Sequence, residues 1–103
     1  MSVLEDVLRE EYSRSMHLSR LMERELANLP KGSIRTRIIN GHEYFYLNHR
    51  EGSRVISDYV KSSEVDSLRL QLNRRKELVA ALKEQAKSRK QIERAMGGRL
   101  NDE

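Results

Sequence analysis

Apolar positions along the chain form two helical runs separated by a stretch that alternates. In the first run Leu4, Leu8, Tyr12, Leu18, Met22, Leu26 and Leu29 recur at spacings of three and four, with one wider step across Ser15 and Met16. That spacing marks one side of an α-helix of roughly seven turns. Ser2 followed three positions later by Glu5 has the form of a capping box. Pro30 pushes the residue before it out of the α region, and Lys31-Gly32-Ser33 completes the break. The pattern predicts a helix over about residues 3–29.

From residue 34 to residue 60 the period changes to two, which predicts strands over about 34–39, 43–50 and 54–60. Asn40-Gly41 is a strong hairpin signal, because a type I′ turn needs positive φ at both central residues. Glu51-Gly52 is the second candidate turn. Two-residue loops at both places set Arg37 opposite Tyr44, Arg35 opposite Tyr46 and Ile34 opposite Leu47. They also set Leu47 opposite Ile56, Tyr46 opposite Ser57 and Tyr44 opposite Tyr59. Both registers sort the side chains into the same two faces. Ile34, Thr36, Ile38, Phe45, Leu47, Ile56 and Val60 share the core side, with Phe45, Leu47 and Ile56 expected to be buried. Arg35, Arg37, Tyr44, Tyr46, Asn48, Val55, Ser57 and Tyr59 share the outward side.

The second helical run predicts a helix over about 63–96. Ser62 or Ser63 is placed to cap it, and Glu64 and Asp66 sit in its first turn, where carboxylates meet the positive end of the helix dipole. Its apolar stripe is Val65, Leu68, Leu72, Val79, Leu82, Ala86 and Met96, interrupted by Arg75 and Arg89 and sparse beyond Ala86. Gly97-Gly98 ends it and residues 97–103 form a short tail. The fold class is therefore α+β: a long N-terminal helix, a three-stranded antiparallel β-meander and a long C-terminal helix. Each helix is about twice the length of a strand, so the surplus must pair as a helical hairpin, meet a second copy, or project. The end beyond Ala86 is expected to project or to pair with a second copy through Leu82, Ala86 and Met96, with the homodimer slightly favoured.

A chain of 103 residues is expected to make one domain. The absence of cysteine excludes disulfides and thiolate metal sites and fits a reducing compartment. Without a signal-like apolar run or a stretch approaching a membrane span, a cytoplasmic protein with no membrane partner is expected. Net charge is +4, unevenly spread. Residues 1–29 carry four basic and six acidic groups, residues 30–61 six basic and three acidic. From Arg69 to Arg99 ten basic groups face only Glu77, Glu84 and Glu93. Charge complementarity between the helices and a polyanion-binding stripe are both open on that distribution.

Signals for catalysis are missing. His17, His42 and His49 are scattered, with no metal-ligand spacing among them, and no acidic calcium loop or phosphate-cradling glycine loop occurs. Ser33, Ser53, Ser62 and Ser63 sit where turns and caps favour hydroxyls. A non-enzymatic binding protein with no cofactor and no metal is expected.

The outward sheet face concentrates arginine and tyrosine. Arginine binds phosphate or makes bidentate bonds to guanine, and tyrosine stacks on exposed bases or bonds to phosphate through its hydroxyl. The candidate binding residues are Arg35, Arg37, Tyr44, Tyr46, Asn48 and Arg50. Lys83, Lys87, Lys90 and Arg94 are added if the last helix lies alongside.

Lys31-Gly32-Ser33-Ile34, Asn40 through Leu47, Arg50-Glu51-Gly52 and Val55 through Lys61 resemble a group of small uncharacterised bacterial and archaeal proteins. Their pattern runs G-S-I, then Y-x-Y-L, R-x-G and Y-V, with a charged helix after it. Similar segments occur near the start of some transposases. More loosely, the meander is similar to the arm-type DNA-binding domain of tyrosine recombinases, whose three-stranded sheet enters the major groove. The chain departs from the pattern at Phe45, where a tyrosine is usual, at Asp58, where a basic residue is frequent, and at Lys61, which follows Val60 without a glycine. The resemblance implies nucleic-acid binding of mobile-element or phage type, DNA ahead of RNA. The alternative expectation is a protein-interaction module, such as an anti-CRISPR-like inhibitor of a nucleic-acid-processing enzyme or ribonucleoprotein.

Overall fold

A computed structural model describes residues 2–98. In chain order these form α1 (Val3–Ala27), β1 (Ser33–Ile39), β2 (His42–Glu51), β3 (Arg54–Val60), a 3₁₀ turn (Ser62–Glu64) and α2 (Val65–Met96). The class is α+β, as the change of period predicts, and the residues beyond Gly98 in the expected tail lie outside the described ones. The chain makes two compact units. One spans Asn28–Glu77 and holds the meander with the first part of α2; the other joins α1 to the part of α2 from Leu78 onward.

In the helical unit, α1 opens with the Glu5 amide donating to Ser2 Oγ at 3.2 Å, satisfying one of the free donors of a first turn. The chain leaves the helix after Ala27, ahead of Pro30. The covered side of α1 is Leu8, Tyr12, Ser15, Ser19, Met22 and Leu26, alternating steps of four and three as the seam of paired helices does. Ser15 and Ser19 are its most buried members, at 6% and 4% exposed. The wider apolar step in the sequence is therefore the centre of the seam. On α2 the matching side is Leu78, Leu82, Gln85, Arg89, Ile92 and Met96. Arg89 Nη1 donates to Ser19 Oγ at 2.7 Å, to Ser15 Oγ at 3.0 Å and to the Ser15 carbonyl at 3.3 Å. Ser15 Oγ in turn donates to Gln85 Oε1 at 2.7 Å, and Tyr12 bonds to Glu93 further along. Contacts that advance along α1 as they retreat along α2 make the pair antiparallel.

Two sequence expectations change here. Val79 and Ala86 are exposed, and Leu78 takes the buried position at 2%. An apolar-only stripe misses the seam because Gln85 and Arg89 are members of it. Met96 is 0% exposed, Leu82 is half-buried and Ala86 is open, so of the three residues expected to meet a second copy only Ala86 lies on the surface. Gly97, at φ 58°, ends α2 in the left-handed conformation common at helix ends.

In the other unit the sheet order is β1-β2-β3. The first hairpin has the expected register, Arg37 opposite Tyr44 and Arg35 opposite Tyr46, with Asn40 at φ 52° and Gly41 at φ 80°. The second hairpin is displaced by two residues from expectation. Its loop is Gly52-Ser53, closed by the pair Glu51 and Arg54, so Leu47 faces Asp58, Tyr46 faces Tyr59 and His49 faces Ile56. Gly52, at φ 60°, takes the first central position, where a type II′ turn wants glycine, instead of the second. A displacement of two leaves every side chain on its expected face, because the strand period is two.

Val60, Val65 and Leu72 form the buried centre of this unit, with Ile34, Phe45, Leu47, Ile56 and Leu68 half-buried around them. The core side is only partly covered. Ile38, beside the Asn40-Gly41 turn, is 70% exposed, and Thr36 is exposed on the edge strand β1, in one row with Phe45 but across β2 from Val60. The expected serine cap is absent: Lys61, extended at φ −62° and ψ 140°, precedes the 3₁₀ turn without a side-chain cap, and the Glu64 amide bonds to the Lys61 carbonyl at 2.9 Å. Arg75 turns inward as Arg89 does, its Nη1 donating to the Leu29 carbonyl at 3.5 Å.

Candidate functional site

Strand alternation and the two registers put Arg35, Arg37, Tyr44, Tyr46, Asn48 and Arg50 on one face of the meander, with Val55, Ser57 and Tyr59 from β3. That face contains no carboxylate. The three acidic residues of the meander, Glu43, Glu51 and Asp58, all lie on the opposite face with Arg54. Asp58 therefore does not intrude on the basic surface. Its Oδ2 accepts from His49 Nε2 at 2.7 Å on the core side.

The arginines are exposed, whereas Tyr44, Tyr46 and Asn48 are half-buried. Tyr46, expected to be exposed, is partly covered by its neighbours. The Arg37 guanidinium lies 5.3 Å from its ring centroid and the Tyr59 ring meets it edge-on at 6.0 Å and 70°. Such contacts hold an arginine in place at modest gain, and they occupy part of the Tyr46 ring that would otherwise stack on a base. Tyr59 is 60% exposed and is the more available ring. It was placed on this face by alternation but not among the candidate residues, since only the true register sets it directly opposite Tyr46.

Ser57 Oγ donates to Asn48 Oδ1 at 2.5 Å, which leaves the Asn48 amide nitrogen as an outward donor. Beside it, Gly32, Ser33, Arg35, Asn48, His49, Arg50 and Val55 line a shallow concavity of about 350 Å³. The face as a whole presents guanidinium and amide donors, groups suited to anionic or acceptor-rich ligands. Lys83, Lys87, Lys90 and Arg94 are exposed at steps of four and three on one side of α2, with Lys87 3.8 Å from Glu84. They belong to the helical unit, so the structure does not group them with the sheet face.

Among the described residues no group of three or more histidine, cysteine, aspartate or glutamate side chains could hold a metal ion, and no helix is long and apolar enough to cross a membrane. No curated protein and no solved structure matches the chain. Residues 5–70 match a family described as a domain of unknown function, DUF6788, and the matched span takes in nearly all of α1, the whole meander and the start of α2. The sheet face thus lies within the family's span and Lys83 through Arg94 lies beyond it. The chain belongs to the DUF6788 family.

Proposed function

We propose that the protein binds nucleic acid through the outward face of the meander, with DNA preferred over RNA. The observation that carries this is the segregation of charge: three arginines and no carboxylate on one face, all three carboxylates on the other. Charge complementarity within the fold would mix the signs, whereas a polyanion ligand favours a single-sign surface. A thin sheet fits the wide major groove of B-form DNA, while the deep, narrow major groove of A-form RNA excludes it. Arg35 and Arg50 reach phosphate, Arg37 is held on Tyr46 for a phosphate or a base edge, and the Asn48 amide donates to a base acceptor. Tyr59 supplies the exposed ring. Lys83, Lys87, Lys90 and Arg94 give the helical unit a separate phosphate-attracting side. A cytoplasmic setting, with no enzymatic step of its own, fits this role.

Fluorescence-anisotropy titration of a labelled duplex across salt tests it. Wild-type protein should bind with a steep negative dependence of log K on log salt. The triple variant Arg35→Ala, Arg37→Ala, Arg50→Ala should flatten the slope by about 1.8 if Arg37 meets a base edge and about 2.7 if it meets phosphate, at ~0.9 per phosphate contact. A protein partner is the second reading, favoured by the exposed Val55 and Tyr59 beside the arginines, since tyrosine and arginine dominate protein interfaces too. Absence of binding to duplex, single strand and RNA at low salt would select it.

A further inference from the structure

On the far side of Gly32-Ser33 from the outward concavity lies a second hollow of about 310 Å³, within the same unit. Ile34 and Leu72 supply its apolar lining, and Ser33, Arg69, Asn73 and Lys76 its polar one. The three helical residues stand at i, i+4 and i+7, one row of α2. No carboxylate lines the hollow. Neither Arg69 nor Lys76 has an ion-pair partner among the described residues, so their charge is available to a ligand.

Gly32 and Ser33 line both hollows. Gly32 sits at φ +126°, and a Cβ there would come within 2.3 Å of the Asn48 carbonyl oxygen. At Gly32 the ridge between the hollows is thus bare backbone pressed onto β2, and Ser33 beside it adds only a small hydroxymethyl group. A planar guanidinium, an ammonium, a hydroxyl and an amide around a small hollow are the donors that phosphate oxygens accept from.

We infer that the hollow of Ser33, Arg69, Asn73 and Lys76 is a phosphate site, taking a phosphodiester of the same nucleic acid that Arg35 and Arg50 contact across Gly32. This rests on the nucleic-acid reading of the sheet face and adds to it a strip of α2 that the sequence did not single out.

Duplex titrations across salt with wild type and four double variants test it. Arg69→Ala with Lys76→Ala should weaken binding at low salt and flatten the log–log slope by about 2. Arg14→Ala with Arg20→Ala, which removes the same charge from α1, should leave the slope unchanged. Arg69→Lys with Lys76→Arg keeps both charges and should also retain it, separating lost charge from a disturbed helix. An unaltered slope in the Arg69/Lys76 alanine variant, while Arg35→Ala with Arg37→Ala flattens it, overturns the phosphate hollow and leaves the sheet face standing. The reverse pattern keeps the hollow and removes the sheet face, and no binding by wild type removes both. Inorganic phosphate that binds wild type but not the Arg69/Lys76 alanine variant, while the duplex slope is the same for both, would assign the hollow to a free phosphate and overturn the inference.

Discussion

Arg89→Ala is the most informative perturbation of the helical unit, because Arg89 ties together the two most buried polar side chains among the described residues. Its Nη1 bonds to Ser19 Oγ at 2.7 Å and to Ser15 Oγ at 3.0 Å, and both serines are nearly fully enclosed. A hydrogen bond to a charged group contributes about 1.5–3 kcal/mol net, and a buried hydroxyl left without its donor costs about 1–3 kcal/mol. These overlap, and the half-buried guanidinium keeps some solvent. The expected loss is therefore about 2–4 kcal/mol, a large share of the roughly 5–15 kcal/mol of a typical domain. Replacing the whole layer should behave differently. Ser15→Ala, Ser19→Ala, Gln85→Leu and Arg89→Leu together leave no orphaned polar group, so the fourfold variant should return to within ~1 kcal/mol of wild type or exceed it. Urea unfolding followed by circular dichroism, compared at equal m-value, gives both numbers. A loss below ~0.5 kcal/mol in Arg89→Ala, or a fourfold variant no more stable than the single one, would refute the polar-layer account.

Leu78→Ala should cost about 2–5 kcal/mol as a buried leucine, while Val79→Ala, at an exposed position, should stay within ~0.5 kcal/mol; thermal melts of the pair check the seam. Gly32→Ala should destabilise well beyond Gly41→Ala, since a Cβ at Gly32 meets Asn48 whereas one at Gly41 meets nothing within 4 Å. Equal melting shifts would contradict the close approach. The Tyr12 phenol donates to Glu93 Oε1 at 3.0 Å, and that bond, with smaller effects of burial and the carboxylate charge, raises its pKa above the ordinary 10.0. The folded value exceeds the unfolded one, so this stabilisation is complete below pH 10 and is lost as pH rises through the folded value. Tyr12→Phe should remove that part of the alkaline fall in stability, read as a smaller loss of melting temperature above pH 10 than in wild type.

The sequence reveals most where one residue type answers one backbone demand. Asn40-Gly41 admits positive φ at both positions, and the first hairpin has the register those residues require. Gly52 can serve at either central position of a turn, so local chemistry leaves the second register open by two residues; the even step is why the faces were nonetheless legible. Apolar periodicity alone does not reveal the helix seam. Ser15, Ser19, Gln85 and Arg89 satisfy each other there, a pairing seventy or more positions apart that no local pattern carries. Of the candidate site, the grouping of Arg35, Arg37, Tyr44, Tyr46, Asn48 and Arg50 follows from alternation. The turning away of Asp58 follows from alternation as well; the engagement of Tyr46 by Arg37 is a diagonal contact within the first hairpin, and only the meeting of Tyr59 with Tyr46 depends on the displaced register.

The central claim is that one face of the meander, and not the other, meets nucleic acid. Amide chemical-shift mapping of the ¹⁵N-labelled protein during titration with a short DNA duplex at low salt tests it most directly, with side-chain signals of Asn48 and the arginines followed in the same experiment. The account predicts that the Asn48 amide and the guanidinium signals of Arg35, Arg37 and Arg50 shift or broaden together. The side chains of Arg54 and His49, on the carboxylate face, should stay in place. No shifts at saturating duplex, or shifts confined to the Arg54 side of the sheet, would contradict it.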